Sequence, residues 1–168
     1  MSSTHIIILV DVSYSMLSHI SDFVKALNNF VDKLKNENRY YKITVGQFNT
    51  HLDYINVFTD LNSIRVFQVN QFNIYGTTAL YDAVYNTITN VSTNHQMKNM
   101  NTQMYIISDG DDNASKYKKE DADNIMNNVM KQYNWKIIHC HTDLNLFSIP
   151  TINYDINDIC DIFNKIIL

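Results

Sequence analysis

Two hydrophobic patterns alternate along the chain. Ile6-Ile7-Ile8-Leu9-Val10 is an unbroken, mostly β-branched apolar run, which is the pattern of a strand covered on both faces inside a parallel sheet. Ile20, Phe23, Val24, Leu27, Phe30, Val31 and Leu34 follow at helical spacing. They predict an amphipathic helix, with Ser18 as its N-cap. Residues 41–48 read as a strand. Asn49-Thr50 turns the chain into a second extended run over 51–58, and so short a turn predicts an antiparallel hairpin. Residues 59–77 are polar and irregular, with a short helix expected near 64–67.

Ala79, Leu80, Ala83, Val84, Ile88 and Val91 predict a second helix. A loop over 96–101 leads to a buried strand over 104–108. After a loop over 110–117, a helix runs through Ala122, Ile125, Met126, Val129 and Tyr133. A strand over 135–140 and a short one over 146–149, before Pro150, come next. A last helix carries Ile156, Ile159, Cys160, Phe163, Ile166 and Ile167. Strands alternating with helices imply βαβ units: an α/β fold with a mostly parallel central sheet and one antiparallel strand. Ligands in such sheets bind beyond the carboxyl ends of the strands. The length of 168 residues, without internal repeat or linker, reads as a single domain over 1–168. A chain of that size buries about 70% of its unfolded surface and needs no disulfide or metal merely to fold.

Composition narrows the function classes. Hydrophobic residues at 45% and charged residues at 18% exclude a highly charged disordered chain. Lys+Arg 13 against Asp+Glu 17 leaves no basic stripe, so no nucleic-acid partner is expected, although 11 tyrosines would offer stacking. With 3 Gly in all, neither a dinucleotide fingerprint nor a phosphate loop is present. The spacing of Cys140 and Cys160 fits neither a zinc module nor a C-x-x-C motif, so both read as reduced thiols. No run of 18 apolar residues offers a membrane span, and the start lacks the basic region of a signal peptide. A cytosolic location, in a cell or a virus-infected host, is therefore expected. In that compartment the sequons at Asn90 and Asn113 are chance matches.

The chemistry gathers at strand ends. The first strand ends in Asp11-Val12-Ser13-Tyr14-Ser15, the 104–108 strand runs into Asp109-Gly110, and Thr78 opens the second helix. In an extended-to-turn segment, residues i, i+2 and i+4 can point the same way, so Asp11, Ser13 and Ser15 face one point. Asp11, Ser13, Ser15, Thr78 and Asp109 form a set of hard oxygens without imidazole or thiolate. Such a set suits Mg²⁺, with Mn²⁺ or Ca²⁺ able to substitute. A strand-end Asp beside Ser often only caps a helix. The agreement of three separated segments favours a metal site over caps.

These residues carry a family resemblance over essentially the whole chain. Residues 8–16, with D-x-S-x-S, resemble the first metal motif of the von Willebrand factor type A domain and its metal-ion-dependent adhesion site. Gly76-Thr77-Thr78-Ala79-Leu80-Tyr81-Asp82-Ala83 is similar to that family's G-G-T-A-L-x-D-A segment, with Thr77 in place of a glycine. Ile106-Ile107-Ser108-Asp109-Gly110 is similar to its T-D-G segment, with Ser108 in place of a threonine. Asp112-Asn113-Ala114-Ser115 and Trp135 resemble an intracellular bacterial and viral subset. The resemblance implies a Rossmann-like three-layer sandwich with helices on both faces of the sheet. It also implies a divalent cation with one open coordination position, which a partner protein fills with an Asp or Glu. Family members are mostly binding modules rather than enzymes. Tyr14, Tyr75 and Asp111 are expected to rim the partner surface.

Three rivals compete with this reading. A metal-dependent phosphatase or nuclease would need a general acid two residues after Asp11, where Ser13 stands; Asp111 and Asp112 could support a second metal. Zinc at His139-Cys140-His141 is opposed by strand alternation, which turns the two histidines away from the cysteine. A scaffold with a vestigial metal site is the third.

Overall fold

The computed structural model describes residues 3–97, 100–141, 147–153 and 162–165. Its strands are β1 (Thr4–Asp11), β2 (Tyr41–Phe48), β3 (Leu52–Asp60), β4 (Asn101–Ser108), β5 (Lys136–His141) and β6 (Thr151–Asn153). The helices are α1 (Ile20–Lys35), α2 (Leu80–Thr93), α3 (Lys119–Tyr133) and α4 (Ile162–Lys165). One sheet forms in the order β3-β2-β1-β4-β5-β6. Among the described strands only the β2–β3 pair is antiparallel. The hairpin thus contributes one reversed edge strand to an otherwise parallel sheet, as its short turn requires.

Side-chain alternation sorts β1 into two cores. Ile6, Ile8 and Val10 join Phe23, Leu27, Phe30, Val31 and Leu34 of α1 on one face. Ile7 and Leu9 join Leu80, Val84 and Ile88 of α2 and Met126 and Val129 of α3 on the other. From Ile6 to Val10 both faces of the strand meet apolar side chains, which leaves no place for a charge until it ends. That is why the first acid, Asp11, comes at its last residue, and the sheet with helices on both faces presents the expected three-layer, Rossmann-like sandwich.

Several sequence expectations are corrected. His19, not Ser18, is the N-cap of α1, and its side chain makes no capping bond. Residues 64–67 are not helical, and short 3₁₀ turns lie on either side at Leu61–Ser63 and Val69–Gln71. Here Phe67 N–H donates to Asn28 Oδ1 at 2.8 Å, and Asn28 Nδ2 donates to Phe67 O at 3.1 Å. The segment spends its backbone groups on α1 rather than on its own turn. The strand expected before Pro150 lies after it, as β6, while Phe147–Ile149 is bent. Trp135 precedes β5. Of the last helix only Ile162–Lys165 falls within the described residues.

One polar group is walled into the lower end of the sheet. His5, fully buried, has Nε2 2.8 Å from Thr44 Oγ1. That hydroxyl also accepts from Phe58 N–H at 3.0 Å. The bond sits where β3 slips register against β2 and Phe58 takes a φ of 47°, the unpaired backbone of a bulge. Burial lowers the His5 pKa to about 4.

Candidate metal centre

The carboxyl ends of β1, β4 and β5 lie side by side. In the ladder Val10 pairs with Ile107, and Ser108 pairs with His141. Asp11, Ser108 and His141 therefore follow one another across three strand ends. All three are buried. Ser108 Oγ donates to Asp11 Oδ2 at 2.8 Å, and His141 Nε2 lies 3.3 Å from Gly110 O.

Asp11 is 0% exposed. Beyond it the chain leaves the sheet, and Ser13 N–H turns back to Asp11 Oδ1 at 2.7 Å. Ser13 Oγ is 3.1 Å from Ser15 Oγ, which donates to Asp109 Oδ1 at 2.9 Å. Asp11, Ser13, Ser15 and Asp109 therefore form one hydrogen-bonded run linking two strand ends. Burial raises the Asp11 pKa. The Ser13 backbone N–H, with the hydroxyls of Ser13 and Ser108, pulls it back down, and the nearby Asp109 charge raises it again. Neither of the ion pairs found among the described residues, Lys25–Asp22 and Lys42–Asp60, involves this carboxylate.

Thr78 is brought in by backbone. Tyr75 N–H donates to Val12 O at 3.1 Å, and Tyr14 N–H donates to Gly76 O at 3.3 Å, so the 75–76 turn lies against the 12–14 loop. Gly76 has φ +74°, and a Cβ there would stand 2.7 Å from Thr50 Oγ1; both observations demand glycine. Thr78 is buried. Its N–H donates to Asn113 Oδ1 at 2.8 Å, and Asn113 N–H donates to Thr78 O at 2.9 Å. No hydrogen bond joins its hydroxyl to another described residue.

The start of α2 is capped by a different part of the chain. Its N-cap, Ala79, has no polar side chain to offer. Tyr81 N–H donates instead to Asp112 Oδ1 at 3.2 Å, and Asp82 N–H to Ser115 Oγ at 3.0 Å. Asp82 Oδ1 in turn accepts from the N–H groups of Lys116 and Tyr117 at 2.9 and 2.8 Å. These bonds fasten the loop after Asp109 to the helix after Thr78. Asp112, Asn113 and Ser115 stand out in the sequence by resemblance, and Asp112 as a second-metal ligand in the rival hydrolase reading, but none is expected there to cap a helix. Helix propensity carries no signal for a cap supplied from thirty residues away.

The remaining expected residues are placed as follows. Tyr14 and Tyr75 are 69% and 48% exposed. Asp111 is exposed, and Asp109 is half-buried. His139 and His141 share one face of β5, with ring centroids 5.2 Å apart, while Cys140 faces the other core. Both ring nitrogens of the fully buried His139 lack a hydrogen-bond partner among the described residues. Burial, then the His141 charge, lowers its pKa to about 3. Among the described residues no three His, Cys, Asp or Glu side chains cluster as a zinc site requires.

The oxygens gathered here fit a hard divalent cation. A buried carboxylate without a cationic side chain is costly in an apolar sheet end. A second carboxylate stands two hydroxyls away, and a buried threonine hydroxyl adjoins the same loops. A small dication would balance both charges and keep water on its open side.

Comparison with known proteins places the fold. The family model of the von Willebrand factor type A domain matches residues 5–144. Proximal thread matrix protein 1 from the mussel byssus, solved with a zinc-occupied metal-ion-dependent adhesion motif, superposes at a TM-score of 0.69 with 13% identity. The match covers 98% of this chain and 45% of that one. The ArnB paralog VWA2 from Sulfolobus acidocaldarius gives a TM-score of 0.66 at 15% identity, over 95% of this chain and 44% of the other. A von Willebrand factor type A protein from Catenulispora acidiphila gives 0.62 at 11%, over 98% and 42%. The chain spans less than half the length of these structures, and at such identities the likeness establishes the fold alone. No curated protein matches the chain.

Proposed function

The chain belongs to the von Willebrand factor type A domain family, and on that premise we propose that it is a divalent-cation-dependent module for binding another protein. Domains of this family are typically adhesion or protein-binding modules and are usually non-catalytic. In this reading Asp11, Ser13, Ser15, Thr78 and Asp109 form a metal-ion-dependent adhesion site. Mg²⁺ is the expected ion, with Mn²⁺ or Ca²⁺ as substitutes. The open position accepts an Asp or Glu from the partner, and Tyr14, Tyr75 and Asp111 rim the contact. No residue is assigned a catalytic role. The cytosolic location expected from the sequence, among the intracellular members, and the absence of a nucleic-acid or membrane partner belong to the same proposal.

One observation carries it: Asp11, buried and without an ion-pair partner among the described residues, is joined through Ser13 and Ser15 to Asp109. Few negative charges and several neutral hydroxyls leave a bound dication electrophilic, able to attract a carboxylate from outside. Affinity capture in Mg²⁺ and in chelator tests this. Partners retained only with Mg²⁺, and lost in Asp11→Ala, are expected. The same partners held in chelator by both proteins would contradict it.

A further inference from the structure

The carboxyl end of β2 carries two buried amides. Ile43 and Val45 face the α1 core, and by strand alternation Gln47 is the next residue on that face. Burial alone would call for another apolar side chain there. Gln47 is 5% and Asn49 3% exposed. A buried primary amide is costly unless both its donor and its acceptor are used. Gln47 uses both on one segment of chain. Its Nε2 donates to Gln71 O at 3.0 Å, and its Oε1 accepts from Asn73 N–H at 2.8 Å. Those two backbone groups flank Phe72, whose ring meets Phe23 of α1 edge-on with centroids 5.8 Å apart. The amide and the ring grip the segment from two sides.

Asn49 braces both ends of the stretch that follows. Its Nδ2 donates to Asn73 O at 3.2 Å, and its Oδ1 accepts from His51 N–H at 2.9 Å. Its backbone O accepts from Ala79 N–H at 2.8 Å. Thr78 immediately precedes Ala79. The stretch 73–79 is thus anchored on β2 at its first and last residues. Between them Tyr75 and Gly76 are bonded to the loop that carries Ser13 and Ser15.

We propose that Gln47 and Asn49 are positioning residues for the cation: their bonds to Gln71, Asn73 and Ala79 set where the Thr78 hydroxyl stands relative to Asp11. This rests on the cation-dependent reading above and extends it to two side chains outside the five proposed ligands. A merely structural role would lower stability and leave the folded protein's affinity for the ion unchanged. A positioning role appears in that affinity, because a misplaced ligand oxygen binds less well.

The test is titration of the metal-stripped full chain with Mn²⁺, in the parent and in Gln47→Met, which keeps the side chain's length and removes both of its bonds. The variant is expected to bind the ion with a Kd about tenfold higher. A second measurement needs no variant and stands even where Gln47→Met fails to fold. An ion that needs the loop fixed must in turn fix the loop, so the Asn73 backbone amide of the parent is expected to exchange its hydrogen several-fold more slowly in Mg²⁺ than in chelator. Kd values within about twofold of each other, or an Asn73 exchange rate unchanged by Mg²⁺, would overturn the positioning role and leave the cation-dependent reading standing. A parent that binds no Mn²⁺ would overturn both.

Discussion

Thr78 and Asn113 hold each other through the backbone. The Thr78 N–H meets Asn113 Oδ1 at 2.8 Å, and the Asn113 N–H meets Thr78 O at 2.9 Å. One residue opens α2 and the other lies four positions beyond Asp109, so this clamp fixes two of the proposed ligands relative to each other. Asn113→Ala removes the side-chain half and leaves a buried N–H without its acceptor. A loss of about 1–2 kcal/mol in stability is expected. Weaker Mg²⁺ binding should accompany it, because the Thr78 hydroxyl loses its fixed position. Calorimetric Mg²⁺ titration of the two proteins checks this; unchanged affinity would separate the clamp from the site.

Asp11 sacrifices stability for charge. It is fully buried and its pKa is raised chiefly by burial. Asp11→Asn removes the charge and keeps the shape. In chelator the variant should melt at or above the temperature of the parent, since an uncompensated buried charge is gone. In Mg²⁺ the order should reverse. A ligand at one hundred times its Kd adds about 2.7 kcal/mol to the parent and nothing to a variant that does not bind it. Melting curves of both proteins with and without Mg²⁺ decide the matter.

Two buried histidines make the fold acid-sensitive. His5 and His139 are held neutral by burial, with pKa values lowered from 6.5 to about 4 and about 3. The unfolded chain takes up these protons near pH 6.5, before the fold does. Their contribution is therefore intact above that pH and falls as the pH drops toward the folded values. At pH 5 each should have cost about 2 kcal/mol. Asp11 works in the opposite sense, because a raised pKa lets the fold bind its proton first. Neither ring nitrogen of His139 has a partner among the described residues, so His139→Leu sacrifices none of their hydrogen bonds. It should leave stability at pH 7 unchanged or higher and flatten the decline between pH 7 and 5, as read by denaturant unfolding. A variant that kept the parent's full pH dependence would contradict the assignment.

Gly76 sets the turn of the threonine loop. Its φ of +74° and the 2.7 Å approach to Thr50 Oγ1 leave no room for a side chain. Gly76→Ala should cost about 1–2 kcal/mol and weaken Mg²⁺ binding by displacing Thr78. Thr77→Gly at the exposed neighbouring position should change neither by a comparable amount.

The strong periodic elements were legible in the sequence because each has one face or two to bury. The continuous run in β1 and the helical stripe in α1 could be read residue by residue, as could the hairpin turn. The strand ends were legible for the same reason, since the first polar residue after a doubly buried strand marks the sheet's edge. What failed were elements too short for a period. Ile64 and Phe67 are buried apolar residues at helical spacing, yet their segment is not helical, and Asn28 of α1 binds the Phe67 backbone instead. The three residues of β6 carry no pattern that could place them after Pro150. The caps that Asp112 and Ser115 give to α2, and the Asn113 clamp, depend on strand order and exist only once the fold has formed. Alternation correctly separated Cys140 from the two histidines, but gave no sign that His139 would be buried with both nitrogens unpaired.

The central claim is that oxygens from three separated segments hold one divalent ion. Titration of metal-stripped protein with Mn²⁺, with free ion followed by electron paramagnetic resonance, tests it most directly. One ion bound per chain, displaced by Mg²⁺ and lost in both Asp11→Ala and Thr78→Ala, is the predicted result. Binding that is absent at millimolar Mn²⁺, or that persists unchanged in both variants, would contradict it.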